Sequence, residues 1–191
     1  MFGFALTFGE YADDAARAIN DRPYVHTMTF TTERNTIMTI RFAEIRDIPG
    51  MIELLKQVGE VHHQIRPDLF RAGAQKYNEQ DLAELLKDPS RPIFIADMDG
   101  NVAGYCFCIL QITENNPVLC DRKVLYIDDL CVEETLRGQG IASKLYDHTL
   151  NYAREIGCDA VTLNVWYGNG AQKFYEKCGM QFQKIGMEVI L

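Results

Sequence analysis

The chain has 191 residues, of which 47% are apolar and 24% charged, and its formal net charge is −8 at pH 7. This composition is that of an ordinary globular protein with enough apolar residues for a substantial core. It disfavours nucleic-acid binding, because that class presents a basic surface, and it mildly favours a cationic substrate.

The six cysteines include no C-x-x-C pair, so no zinc-binding spacing is present and we expect no metal. Cys106 and Cys108 lie in an apolar, strand-like run and are interpreted as buried thiols in a reducing compartment. No apolar run reaches the ~18 residues of a membrane span. The N-terminus lacks the basic start of a signal peptide. We therefore expect a cytoplasmic protein with no membrane partner.

Residues 1–37 differ in character from the rest and are predicted to form an N-terminal arm or extension. Phe2, Phe4, Leu6 and Phe8 alternate with small or polar residues, and a short helix is predicted over residues 13–19. The arm is either dispensable for chemistry or docks on this domain or a neighbouring subunit, because exposed phenylalanines are unfavourable in water. A homodimer is therefore possible.

Residues 38–191 are predicted to form one domain. An alternating edge strand over residues 39–45 precedes an amphipathic helix over residues 47–64, for which Asp47 is the expected N-cap. A second helix is expected near residues 75–87. Apolar strands over residues 93–98 and 102–112 flank an Asp-Gly-Asn hairpin turn.

The second half of the domain alternates strands and helices. Strands are expected over residues 123–132 and 161–165, with helices over residues 141–156 and 171–177 that end at Gly157 and Gly179. One or two final strands are expected within residues 180–191. The order is β-α-α-β-β-β-α-β-α-β, which indicates an α/β (α+β) fold with a mixed central sheet flanked by helices.

The turn Arg137-Gly138-Gln139-Gly140-Ile141-Ala142 joins a strand to a helix, and such a turn binds phosphate through backbone N–H groups and the helix N-terminus. It is not a P-loop, because no lysine follows the second glycine. It also fits a dinucleotide-binding turn poorly. Ser143 occupies the place of the third glycine, and five residues separate the strand from Gly138.

With its surroundings, this turn resembles the acetyl-CoA signature of the GNAT superfamily of N-acetyltransferases, [QR]-x-x-G-x-[GA]. The preceding Y-I-D-D-L-C-V and the downstream A-x-x-F-Y-E-K-x-G, at residues 171–179, also resemble the family in order and spacing. The nearest pattern is that of the polyamine and small-amine acetyltransferases. The resemblance implies a GNAT-like fold over about residues 39–191 and acetyl transfer from acetyl-CoA to a primary amine, in a small molecule or a peptide.

The resemblance also implies which residues hold the acetyl-CoA. Backbone of Leu130, Cys131 and Val132 would hold pantetheine. Backbone of residues 138–143 would hold the pyrophosphate, namely Gly138, Gln139, Gly140, Ile141, Ala142 and Ser143. Arg137 either makes a charge contact or braces the loop. Asn169 is a further cofactor contact, although the family's N-x-x-A is one residue short here.

For catalysis, Asp128 and Asp129 are the candidates for the base that takes the amine proton, and Tyr175 matches the family's general acid. The two aspartates point to opposite faces of a regular strand, and a bulge would change that. By resemblance the matching position is Asp128. Direct attack in a ternary complex is expected, because no histidine beside Cys131 in the sequence could activate it as a nucleophile.

The acceptor pocket is expected between the first two helices, with His63, Arg66 and Phe70 as contacts and His62 as a buried or half-buried histidine. Asn164 is either a cleft residue or a strand-end residue. The alternative function is a GNAT-fold module that senses acyl-CoA without turnover.

Overall fold

A computed structural model describes residues 27–31 and 37–191, so the predicted helix at residues 13–19 and the phenylalanines of the arm lie outside the described residues. The described chain forms one six-stranded sheet whose spatial order follows the sequence. Its strands are β1 Met28–Thr31, β2 Ile37–Phe42, β3 Ile93–Met98, β4 Asn101–Thr113, β5 Arg122–Val132 and β6 Ala160–Leu163. Neighbouring strands are antiparallel, except that β5 and β6 are parallel.

In the described part of the chain, four α-helices flank this sheet: α1 Ile48–Ile65, α2 Glu79–Leu85, α3 Ile141–Glu155 and α4 Ala171–Lys177. Short 3-10 turns precede α1 at Ile45–Asp47 and α3 at Glu134–Leu136. The predicted mixed sheet with flanking helices is therefore confirmed. No helix among the described residues is long and apolar enough to cross a membrane.

The two ends of the predicted strand order differ from the structure. Strand β1 lies inside the predicted arm and pairs with β2, because Met28 and Phe30 pack their side chains against the core. Strand β2 is therefore not an edge. Residues 180–191 form no strand, and Phe182, Ile185 and Met187 are exposed there. The alternation of that segment supplies strand propensity, but a strand also requires a partner edge.

The sheet separates two apolar cores. The α3-side core contains Phe94, Cys106, Leu125, Ile127 and Leu145, together with neighbours from β2 and α3. The α1-side core is formed by residues of α1, α2 and the opposite face of the sheet, including Met51, Leu55, Leu82, Tyr105 and Phe107. Strand β4 is covered on both faces, which explains its continuous apolar run.

The side chain of Asp47 does not cap α1 as predicted. It precedes α1, but its carboxylate makes no bond to the helix amides. Instead it accepts hydrogen bonds from the Glu44 backbone N–H at 2.7 Å and from two Arg41 nitrogens at 2.7 and 2.9 Å. Arg41 also donates to Asp97 at 2.8 Å, so this guanidinium ties the start of α1 to β2 and β3. Both aspartates raise the pKa of Arg41 above its ordinary value.

Candidate active site

The glycine turn has the backbone that phosphate binding requires. Gly138 and Gly140 have φ values of 80° and 77°, which only glycine adopts without strain, and α3 begins directly after Gly140. A Cβ at either glycine would meet no atom within 4 Å, so the concave side of the turn is open. A cavity of about 290 Å³ lies against it. Its walls are Val132, Leu136, Arg137, Gly138, Gly140, Ile141, Ala142, Ser143 and Phe174. The residues present therefore fit a diphosphate.

Arg137 braces this turn in the structure. Its Nε donates a hydrogen bond to the carbonyl oxygen of Val132 at 3.2 Å. The contact ties the loop to the end of β5, which is the bracing role that the sequence left open beside a charge contact.

Strands β5 and β6, the last pair in the strand order, separate after Ile127 and Leu163. They pair over four positions, from Val124 with Ala160 to Ile127 with Leu163. Strand β5 continues to Val132 and stays paired with β4 up to that residue. On the side of β6, the backbone from Asp128 to Val132 has no strand partner among the described residues. Cys131 pairs with Tyr105 of β4, whereas the N–H and C=O of Leu130 and the N–H of Val132 face away from β4. These outward-facing groups can therefore pair with an extended ligand.

A bulge at Asp128 sets the direction of both acids. Phe107 pairs with Asp129 and Cys108 with Ile127, so Asp128 is an extra residue on β5. Ile127 belongs to the α3-side core, whereas Cys131 belongs to the α1-side core. The bulge thus reverses the alternation and turns both carboxylates to the α1 side of the sheet. The bulge that the sequence allowed for is present.

Asp128 is surrounded by donors. Its Oδ2 accepts a hydrogen bond from Lys76 Nζ at 2.7 Å and from the Tyr77 hydroxyl at 3.4 Å, and Arg91 lies 3.9 Å away. Its side chain is only 15% exposed. Asp128 therefore lies in a pocket of hydroxyl and cationic groups, formed by Lys76 and Tyr77 between α1 and α2 and by Arg91 after α2.

Asp129 has the opposite environment. Its Oδ2 accepts a hydrogen bond from the fully buried Tyr105 hydroxyl at 2.9 Å. Burial raises the pKa of Asp129 from 3.8 to about 6, and this outweighs the Tyr105 hydrogen bond and the charge of Lys76, which both lower the pKa. A carboxyl with a pKa near 6 releases and takes up protons close to neutral pH, as a general base should.

Tyr175 lies on α4 and packs against the α3-side core beside Phe174 and Tyr146, with ring centroids 5.1 and 6.2 Å away. Burial raises its pKa well above its ordinary value, and the nearby Cys106 and Asp129 add to the rise. Its hydroxyl donates to no other group among the described residues. A protonated phenol with a free O–H can donate to a leaving group.

Cys131 is a poor nucleophile in this setting. Burial, with help from Asp129, raises the pKa of its thiol to about 12. Its Sγ donates instead to the Leu54 carbonyl oxygen at 3.7 Å. Because the thiolate is the reactive form, this environment disfavours an acyl-cysteine intermediate.

The two asparagines make protein contacts. Asn164, just beyond β6, donates through Nδ2 to the Tyr126 hydroxyl of β5 at 3.2 Å, so it bridges the mouth of the gap. Asn169 accepts the Ala171 N–H at 2.9 Å through Oδ1 and thereby supports the start of α4. The second contact is local and occupies the group expected to meet the cofactor.

The expected acceptor residues gather in the loop after α1. His63 Nδ1 lies 2.7 Å from the Phe70 carbonyl oxygen and secures this loop, whereas His62 stacks on the Phe70 ring at 5.0 Å. Phe70 meets Trp166 edge-to-face at 5.4 Å. Arg66 lies over the same Trp166 ring and pairs with Asp68 and Glu188, each at 2.6 Å. Aromatic and charged contacts thus join the loop after α1 to the loop after β6.

His62 is half-buried, as expected. Burial lowers its pKa, and the charge of Lys76 lowers it further.

Sequence reasoning missed four residues of the site. Lys76, Tyr77 and Arg91 surround Asp128, and Tyr105 binds Asp129. A polar partner for Tyr105 could have been expected, because a hydroxyl within a buried apolar strand needs a hydrogen-bond partner. No signal pointed to Lys76, since it lies in an irregular segment 52 positions from its partner. Among the residues that the structure describes, no group of histidine, cysteine and acidic side chains could hold a metal ion.

Known proteins resemble this chain in sequence and fold. An uncharacterised N-acetyltransferase of Methanocaldococcus jannaschii is 28% identical over 102 residues, which are 53% of this chain and 44% of that protein. A glucosamine 6-phosphate N-acetyltransferase of Arabidopsis thaliana is 29% identical over 84 residues, 40% of this chain and 55% of the relative. The chain therefore matches about half the length of these curated relatives.

A crystal structure of a mutant BH1408 protein from Bacillus halodurans is 32% identical, with a TM-score of 0.76 over 80% of this chain and 98% of that one. The acetyltransferase (GNAT) family model matches residues 59–180, which include the bulge, the glycine turn and Tyr175. Because this match spans more than half of the sequence, the chain belongs to the GNAT family of acetyltransferases, as its motifs predicted.

Proposed function

We propose that the protein transfers an acetyl group from acetyl-CoA to a primary amine by direct attack in a ternary complex. One observation carries the proposal: β5 parts from β6 at the residue where two carboxylates emerge. The open glycine turn lies at the end of the exposed backbone, and Tyr175 lies close enough for the Asp129 charge to raise its pKa.

The donor is assigned to the gap and the turn. Backbone N–H groups of residues 138–143 and the N-terminus of α3 hold the pyrophosphate, because aligned amides bind phosphate without charged side chains. The pantetheine arm pairs with the backbone groups of Leu130 and Val132 that face away from β4. This supports acetyl-CoA over a dinucleotide, which has no peptide-like arm to pair with a strand.

The acceptor must lose a proton before it attacks. A lysine-like amine with a pKa near 10.4 is neutral in about one molecule in ~2,500 at pH 7, which corresponds to about 4.6 kcal/mol. We assign proton removal to Asp129, directly or through water, since its pKa of about 6 suits a base at neutral pH. Asp128 is assigned to hold the ammonium, because it already holds that of Lys76. The resemblance to the family favoured Asp128 as the base, and this assignment gives that role to Asp129 instead.

Tyr175 is assigned as the acid that protonates the leaving thiolate. A coenzyme A thiolate leaves more readily when a proton reaches its sulfur, and the raised pKa keeps Tyr175 protonated at neutral pH.

We further propose a small cationic acceptor such as a polyamine. The net charge is −8. A groove of about 590 Å³ is lined by Asp81, Glu84 and Asp88 together with Lys76 and Tyr77, the two residues that donate to Asp128. These carboxylates favour a second ammonium near the first.

An amine panel tests the proposal. Acetyl-CoA is mixed with polyamines, amino acids, aminoglycosides and lysine peptides, and free thiol is measured. The enzyme hypothesis expects thiol release with at least one amine, and it expects Asp129→Asn and Tyr175→Phe to reduce it. The acyl-CoA sensor instead predicts that coenzyme A raises the melting temperature, that no amine releases thiol, and that both variants behave like the wild type.

A further inference from the structure

A primary ammonium of the chain itself already contacts the carboxylate assigned to the acceptor. Lys76 Nζ lies 2.7 Å from Asp128 Oδ2, and the lysine side chain is 44% exposed. The residue lies between α1 and α2, in a segment without regular structure. Chemically, this group is what the proposed reaction consumes: an alkyl ammonium at the carboxylate beside the gap.

The charges around Lys76 place it among the reacting groups. Desolvation lowers the pKa of Lys76, but the hydrogen bond and charge of Asp128 and the charge of Asp129 leave it raised overall. Burial lowers the pKa of His62 and Lys76 adds to that effect, whereas burial raises the pKa of Tyr126 and Lys76 only partly opposes the rise. Asp129 raises the pKa of both Lys76 and Tyr175. The carboxylate proposed as base is thus within electrostatic reach of this amine and of the phenol proposed as acid.

We propose that Lys76 is an internal acceptor, and that the protein acetylates its own Lys76 from acetyl-CoA. The inference rests on the proposed function, since it uses the same donor, base and acid. What is new is the modification site, which is specified by the contact between Nζ and Asp128.

The step balances without any further reactant. The ammonium of Lys76 passes a proton to the aspartate pair, and the neutral Nζ attacks the thioester carbon. A C–N bond forms and the C–S bond breaks. Tyr175 protonates the thiolate and regains a proton from solvent, and the two protons that the nitrogen loses pass through the aspartates to solvent. The products are acetyl-Lys76, coenzyme A and one proton.

Acetylation would change the site that performs it. The amide product carries no charge, so its ion pair with Asp128 is lost. Tyr77 and Arg91 remain near that carboxylate at 3.4 and 3.9 Å. An external ammonium would then find Asp128 without a lysine competitor.

The chain contains matched internal controls. Lys56 and Lys87 are also paired to carboxylates at 2.7 Å, with Glu53 and Glu84, but both pairs are exposed, the first on α1 and the second at the end of α2 and the turn after it. Any chemical acetylation by free acetyl-CoA will label these lysines too. The full chain is therefore incubated with isotope-labelled acetyl-CoA and no added amine. Peptide mass spectrometry then gives the initial labelling rate at each lysine.

Lys76 is expected to acquire label at least about tenfold faster than Lys56 and Lys87, because its contact with Asp128 holds Nζ at the proposed reaction site. This rate should not depend on protein concentration, and Tyr175→Phe should lower it at Lys76 alone. Coenzyme A binding by that variant, measured calorimetrically, verifies that its site is intact. Equal rates at the three lysines would overturn the inference, as would a Lys76 rate that scales with protein concentration.

The amine panel distinguishes a failure of this inference alone from a failure of the proposed function. If an added amine is acetylated while Lys76 acquires label no faster than Lys87, this inference fails and the proposed function stands. If neither an added amine nor Lys76 is acetylated, both fail.

Discussion

Replacing Asp129 by asparagine should make the protein more stable and less active at the same time. Burial raises the pKa of Asp129 from 3.8 to about 6. The difference of about two pKa units corresponds to about 3 kcal/mol, which is the upper bound on the cost of ionising this carboxyl in the folded state. An amide has no charge to bury, and its oxygen can still accept the Tyr105 hydroxyl.

The effect has a defined pH window. Because the folded-state pKa lies above the unfolded value, the folded state binds the proton more tightly. The cost is absent below a pH of about 4, develops between about 4 and 6, and is complete above about 6. The free energy of unfolding of Asp129→Asn minus that of the wild type should therefore rise from near zero in acid to about 1–3 kcal/mol at neutral pH.

Urea unfolding across this pH range measures the difference. Asp99→Asn is the matched control, because it removes one carboxylate from an exposed turn. Thiol release should fall by about 10²- to 10⁴-fold in Asp129→Asn, as expected for a lost general base. A stability difference that is the same at acidic and neutral pH would refute the raised pKa. Unchanged thiol release would refute the role as base.

Three further predictions concern the acid, the turn and the core. Tyr175→Phe should lower kcat by about 10²- to 10⁴-fold with little change in coenzyme A affinity, measured by thiol release and calorimetry, and equal kcat would contradict the role as acid. Gly140→Ala should cost about 1–2 kcal/mol of unfolding free energy and weaken coenzyme A binding, because φ is 77° there. Gly170→Ala is the control, because φ is −58° there and an added Cβ would meet no atom within 4 Å. It should change neither the unfolding free energy nor coenzyme A binding. Asp47→Ala should cost about 3 kcal/mol in urea unfolding because it leaves a partly buried arginine without its main partner. Lys56→Ala, which breaks an exposed pair, should cost less than about 1 kcal/mol.

Much of the fold could be predicted because its signals are local. The hairpin turn at residues 99–101 has positive φ at Asp99 and Gly100, and Gly157 and Gly179 end their helices with φ values of 72° and 86°. The final strand was predicted wrongly. Alternating apolar and polar residues over 180–191 indicate strand propensity, but a strand also requires a partner edge. Strand β1 was missed because four residues in a threonine-rich tract are too few for a pattern.

The sequence alone determined the glycine turn, the acid pair and Tyr175, since each belongs to a short motif with its own spacing. The environment of these residues was decided only by the tertiary structure. The bulge at Asp128 depends on pairing with β4, and the partners of the acids lie 24 and 52 positions away in the chain. Burial then raises the pKa of Asp129 to about 6, whereas Asp128 accepts a hydrogen bond from Lys76 at 2.7 Å. Two adjacent, identical residues differ because burial and charge depend on what the folded chain packs around each.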